Sequence, residues 1–134
     1  MDGLRLVRSP LLGHGDDADA AIVHAERDVV LAAGACPLDG DGAVVALGDV
    51  AAQARQALVN LDAVLRRCGV EVVDVAFLRV PVVATDPEQL HAAWSVVRAH
   101  LGDHQPAATL QSASALGCPG RLVEIEAIAT RTPG

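Results

Sequence analysis

Residues 49–69, DVAAQARQALVNLDAVLRRCG, do most to limit what this chain can fold into. Val50, Ala54, Ala57, Leu58, Leu61, Val64, Leu65 and Cys68 recur at steps of three and four, which gathers them on one stripe of an α-helix. Asp49 is a good N-cap, and Gly69 stands where a helix terminator belongs, so both ends of the helix are written locally. Arg55, Asn60, Asp62 and Arg66 fall on the wet side of the same helix. Such a one-sided helix must bury its stripe against another layer.

A second helix opens at DPEQ, residues 86–89. Asp86 caps it, Pro87 takes the first turn and Gln89 completes a capping-box pattern. Leu90, Trp94, Val97 and Leu101 form its stripe, and Gly102 ends it. Extended runs surround the two helices. GLRLVRS at 3–9 alternates, and residues 20–39 read as two strands around a tight turn at 26–28. Residues 70–83, VEVVDVAFLRVPVV, form a β-branched run with Pro81 inside it, where an edge, a bulge or a break is expected. The last strands fall at about 107–113 and 121–130. The loop at 10–20 is rich in Gly and Asp. This order predicts one domain over 1–134 of α+β class, a single mixed β-sheet with both helices packed on one face.

The final strand, VEIEAIAT at 123–130, has two faces. Val123, Ile125, Ala127 and Ala129 alternate with Glu124, Glu126, Ile128 and Thr130, so the first set meets the helices and both glutamates look away from them. Two carboxylates so placed call for cations, and residues 104–122 just upstream supply only Arg121. Arg121 reads as solvent-facing beside its turn. Arg79, in the 70–83 run, is the other candidate, either as an inter-subunit ion pair with Glu124 or Glu126 or as a ligand-binding residue.

Charge and composition exclude several functions. The net charge is −7 and all ten basic residues are scattered arginines, with Trp94 and Phe77 the only aromatics, so nucleic acid is not expected as a partner. No apolar run reaches the roughly 18 residues of a membrane span, and the first residues lack a signal-peptide pattern. A cytoplasmic protein with no membrane partner is expected. Cys36, Cys68 and Cys118 are an odd set without paired metal spacing, which argues against disulfides and structural zinc. His14 and His91 read as surface residues. His100 and His104 are separated by the helix-ending Gly102, so no metal site and no cofactor are expected. Just over half the residues are apolar, and a subunit interface would hide the surplus.

The helix at 49–70, the alternating VEIEAIA, the AAGACPLD segment and QPAAT together resemble the Rid (RidA, YjgF-like) family, over nearly the whole of residues 22–129. The resemblance implies a chorismate-mutase-like fold and a homotrimer, with ligand clefts between subunits on the sheet face opposite the helices. It also implies hydrolysis of small reactive enamines and imines, such as 2-aminoacrylate, to keto acids and ammonia. Gly34 matches the glycine of the family's SGQ motif, with Ala35 and Cys36 bordering the same cleft. Glu124 matches the acid that positions or activates water, the catalytic residue of this reading. His24 stands near the family's YSQ or YSH position, and Leu110 where some members carry a cysteine.

One departure matters most. Ala108 occupies the place of the family arginine that pairs with the substrate carboxylate, and a methyl group cannot imitate a bidentate guanidinium. The chain is therefore expected to act on a small imine, enamine or related carbonyl compound, and poorly on 2-aminoacrylate. A non-catalytic small-molecule binder using the same cleft is the alternative, and a scaffold with a vestigial cleft the third.

Overall fold

The computed structural model describes residues 3–12 and 17–134. His14 therefore lies outside the described residues. Six strands and two helices follow in the order β1 (Leu4–Val7), β2 (Ala20–Val23), β3 (Asp28–Ala35), α1 (Val50–Arg67), β4 (Val75–Val82), α2 (Pro87–Leu101), β5 (Ala107–Ser112) and β6 (Ile125–Arg131). The four-stranded sheet has the order β3-β6-β4-β5, with β6 antiparallel to both neighbours and β4 parallel to β5. Both helices lie on this mixed sheet, the expected α+β arrangement. The β1–β2 hairpin forms a separate two-stranded ribbon. Just before β2, Ala18 forms an isolated parallel bridge with Ala107 at the start of β5, and its amide donates to the Pro106 carbonyl. No described helix is long and apolar enough to cross a membrane.

The helix caps work as their residues dictate. The Asp49 carboxylate accepts from the Ala52 amide at 3.0 Å, and Gly69 turns the chain out of α1 at φ 75°. At α2 the Asp86 carboxylate accepts from the Gln89 amide, and the Gln89 side chain reaches back to the Thr85 amide. The core forms where the two helical stripes meet the inner sheet face. Leu58, Leu61, Leu65, Val97 and Leu101 pack with Leu78, Val80, Ile125, Ala127 and Ala129.

Two assignments on α1 change. Val64 is largely exposed, one step off the buried stripe. Asn60, expected in water, is half-buried, and its amide donates to the carbonyls of Cys36 and Leu38 at 2.7 and 2.9 Å. The most consequential polar residue on the helix is Gln53, fully buried among apolar neighbours. Its amide donates to the carbonyls of Val45 and Gly120, and its carbonyl accepts from the Leu122 amide at 2.7 Å. α1 thereby grips both the segment after β3 and the loop before β6.

Pro81 sits inside β4, which is an interior strand and not an edge. The expected break is on the β6 side. Regular β4–β6 pairing ends at Arg79–Glu126, and an isolated bridge follows at Val82–Val123. Between them the Glu124 amide donates to the Pro81 carbonyl, but proline has no N–H to return the bond.

Candidate functional site

A niche forms around Glu124 where the chain comes out of the turn ahead of β6. Residues three apart in a regular strand point to opposite faces. Here Arg121 and Glu124 nevertheless meet, with the guanidinium Nη1 3.6 Å from the Glu124 carboxylate, because Arg121 still belongs to the turn, its amide bonded to the Cys118 carbonyl, while Leu122 and Glu124 already hydrogen-bond to Val83 and Pro81. Both side chains are mostly buried, 20 % and 22 % exposed. Arg121 is thus not the solvent-facing residue that its turn suggested, and its Nε is buried with no hydrogen-bond partner among the described residues.

Gly34 and Cys36 close the opposite wall. A bulge in β3 between Ala32 and Ala35 shifts the β3–β6 register and turns Gly34 toward Glu124. A Cβ on Gly34 would lie 2.9 Å from a Glu124 carboxylate oxygen, so glycine here leaves the room that the carboxylate occupies. The Cys36 thiol lies 3.6 Å from the other carboxylate oxygen and 3.4 Å from the Gly34 carbonyl, to either of which it can donate. Its pKa is raised above the ordinary thiol range, first by burial and then by the negative charge of Glu124, against the opposing charge of Arg121. A neutral thiol is a weak nucleophile, so Cys36 acts here as a donor and a wall.

The remaining candidates disperse. Ala35 is buried in the core on the helix side. Ala108 and Leu110 stand beside Leu78 and Val80 in the parallel ladder and pack against the same core, while Thr109 and Gln111 take the outer face. Within the chain, then, Ala108 and Leu110 do not share a sheet face with Glu124. His24 lies in the turn between β2 and β3, at the Arg131 end of the β3–β6 ladder, with Glu124 at the other end. Arg79 is on the outer face, 3.8 Å from Glu126 and over the Phe77 ring. Its partner is Glu126 of its own chain.

The histidines serve elsewhere. His100 pairs with Asp62 across the helices at 2.9 Å, and His104 contacts the Val75 carbonyl. Among the described residues no three potential metal ligands converge. A groove of about 560 Å³ between α1 and α2, lined by Arg55, Leu58, Val59 and Val96, contains none of the candidate residues. On the outer face a smaller cavity of about 200 Å³ is lined by Leu31, Phe77, Arg79, Glu126 and Ile128. Gln53 and Asn60 were not singled out from sequence. The available signal was two amides seven residues apart, bordering an otherwise apolar stripe.

A mixed sheet carrying two helices on one face, with an acidic niche at the start of its last strand, defines a small α+β module. Residues 19–131 match the family model described as Endoribonuclease L-PSP, and the chain belongs to that family, which includes the Rid and YjgF proteins. Among solved structures, a Rid-family protein of unknown function from Yersinia pestis, YyfB, is 29 % identical, covers 95 % of this chain and 98 % of its own, and superposes with a TM-score of 0.87. Rv2704 of Mycobacterium tuberculosis, a YjgF/YER057c/UK114 family member, is 28 % identical over 94 % of this chain and 98 % of its own, with a TM-score of 0.63. An endoribonuclease L-PSP homologue from Entamoeba histolytica is likewise 28 % identical, over 96 % and 99 % of the two chains, with a TM-score of 0.69. No curated protein matches the chain.

Proposed function

We propose that the chain hydrolyses a small reactive imine, enamine or related carbonyl metabolite, with Glu124 handling the water. The observation that carries this reading is the mostly buried Glu124 carboxylate in a niche bounded by Gly34, Cys36 and Arg121. In an imine hydrolysis, Glu124 accepts a proton as water oxygen bonds to the C=N carbon, then returns it to nitrogen. Collapse of the carbinolamine releases ammonia and leaves the carbonyl product, so one imine and one water give one carbonyl compound and one ammonia. A carboxylate in such a niche suits this proton shuttle.

Because Ala108 withholds the arginine that relatives carry on this strand, 2-aminoacrylate is hydrolysed more slowly than by arginine-bearing family members. RNA cleavage, which the family model's name suggests, finds little support. The chain carries a net charge of −7, and the two arginines nearest the glutamates both face carboxylates.

The same reading includes a homotrimer whose subunits meet through the outer sheet face. That face exposes Leu31 (74 %), Val29 (54 %) and Ile128, apolar side chains that a subunit interface would cover. Light scattering at micromolar concentration should return three times the chain mass, and Leu31→Asp should reduce it to one.

A non-catalytic binder is the second reading, favoured by one observation: Glu124 is already engaged by the Cys36 thiol and Arg121 of its own chain. A screen of small imines and enamines separates the two: a compound that binds without being turned over leaves the binder reading standing. Once a substrate is found, Glu124→Gln should stay assembled while turnover falls by about 10²–10⁴. Unchanged turnover per folded subunit would leave Glu124 a structural carboxylate.

A further inference from the structure

We propose that Arg121 is the anion-binding residue of the Glu124 niche, holding a carboxylate or similar planar oxyanion of the ligand from the loop between β5 and β6. The inference rests on the reading of that niche as the ligand site and names the ligand chemistry it selects. On β5 there is no cation to do this. The outward residues are Thr109 and Gln111, and Ala108 packs on the core. Arg79 stands half in water beside Glu126 and over Phe77, so solvent can satisfy its donors.

Arg121 has unused capacity. Its Nη1–Glu124 distance of 3.6 Å exceeds the roughly 2.7–2.9 Å of a charge-assisted hydrogen bond, so the contact is an electrostatic one that leaves the donors of the fork unfilled. Its Nε is out of water and has no hydrogen-bond partner among the described residues. Guanidinium donors held out of water without acceptors are unfavourable, and a planar oxyanion fills two of them at once.

The group is also held in place before any ligand arrives. Gln53 bonds the Gly120 carbonyl and the Leu122 amide, the residues on either side of Arg121. A cation on so fixed a segment loses little freedom when it binds. The anion would therefore sit on the Gly34 and Cys36 side of the sheet, a different place from one held by an arginine on β5.

The test is a binding measurement that needs no turnover. 2-Oxobutanoate and its neutral amide are titrated calorimetrically into wild type, Arg121→Gln, Arg121→Lys and Glu124→Gln. Arg121→Gln should weaken 2-oxobutanoate at least about tenfold and leave the amide within about twofold. Glu124→Gln removes a like charge, so it should bind 2-oxobutanoate no more weakly than wild type. Should Arg121→Gln not fold, Arg121→Lys decides, since it keeps the charge and loses the fork: partial weakening supports the assignment and wild-type affinity overturns it. Equal affinity of wild type and Arg121→Gln for 2-oxobutanoate overturns it too, as does a wild type that binds the acid no better than the amide. Catalysis by Glu124 stands or falls separately, on the turnover of Glu124→Gln alone.

Discussion

Glu124 and Glu126 lie two residues apart, each beside an arginine, yet the two pairs are built differently. Glu126 faces Arg79 directly across the β4–β6 ladder, and both side chains are about half exposed, at 44 % and 49 %. It is an ordinary cross-strand ion pair in the chain as it stands, worth roughly 0–1 kcal/mol. Glu124 meets an arginine from its own loop, with both partners about four-fifths buried and a thiol on the other side. The difference traces to the turn before β6. Glu124 keeps the register of Glu126, through the Val82–Val123 bridge and the bond of its amide to the Pro81 carbonyl, but Arg121 sits in the turn and folds back beside it. A turn at the end of a regular ladder has thus separated a niche from a surface.

The widest expected gap between the two glutamates is in turnover. Glu124→Gln should lower it by about 10²–10⁴, while Glu126→Gln should leave it within about threefold in trimers of equal stability. Matched losses, measured as kcat per folded subunit, would erase the distinction.

Gln53 tests whether the niche depends on α1. Gln53→Ala leaves the Gly120 carbonyl and the Leu122 amide without their buried partner and empties part of the core. Denaturant titration should show a loss of about 3 kcal/mol. A loss under about 1 kcal/mol would mean that the loop holds itself.

Cys36 reports on charge inside the niche. Its raised pKa means that thiolate appears only at alkaline pH, so alkylation by iodoacetamide should be slow at neutral pH and accelerate as pH rises past the ordinary thiol range. Glu124→Gln removes a negative neighbour, which favours the thiolate and should move that acceleration to lower pH. Arg121→Gln removes a positive one and should move it higher. Peptide mass spectrometry distinguishes Cys36 from the exposed Cys118.

The smallest effect belongs to Arg79. In the Leu31→Asp background, where the outer face meets water, Arg79→Ala should change stability by less than about 1 kcal/mol in the same denaturant assay. A larger loss would place the Arg79 pair on the same footing as the Arg121 pair.

Regular patterns carried most of the fold. The capped stripe at 49–69, the DPEQ start of α2 and the period-two alternation of 123–130 are local signals, and each element forms where its residues put it. The detached β1–β2 ribbon was not legible, because strand periodicity says nothing about which edge a hairpin joins. Glu124, Gly34 and Cys36 were singled out through family likeness, and they lie together. Their grouping with Arg121 depends on the turn that precedes β6, whose path strand alternation does not describe. Asn60 and Gln53 were missed for a related reason: a polar residue at the margin of a helical stripe looks wet until the loop that it binds is in place.

The full engagement of Gln53 also bears on how this molecule breathes. The amide of Leu122, next to Arg121, is bonded only as long as α1 is docked on the sheet. α1 carries much of the core. The site's backbone and the central helix should therefore open as one cooperative unit, with the Leu122 amide exchanging its hydrogen for deuterium as slowly as the middle of α1, whereas the aspartate- and glycine-rich turn at 39–43 exchanges early. Ligands would enter a niche whose frame is as stable as the protein itself.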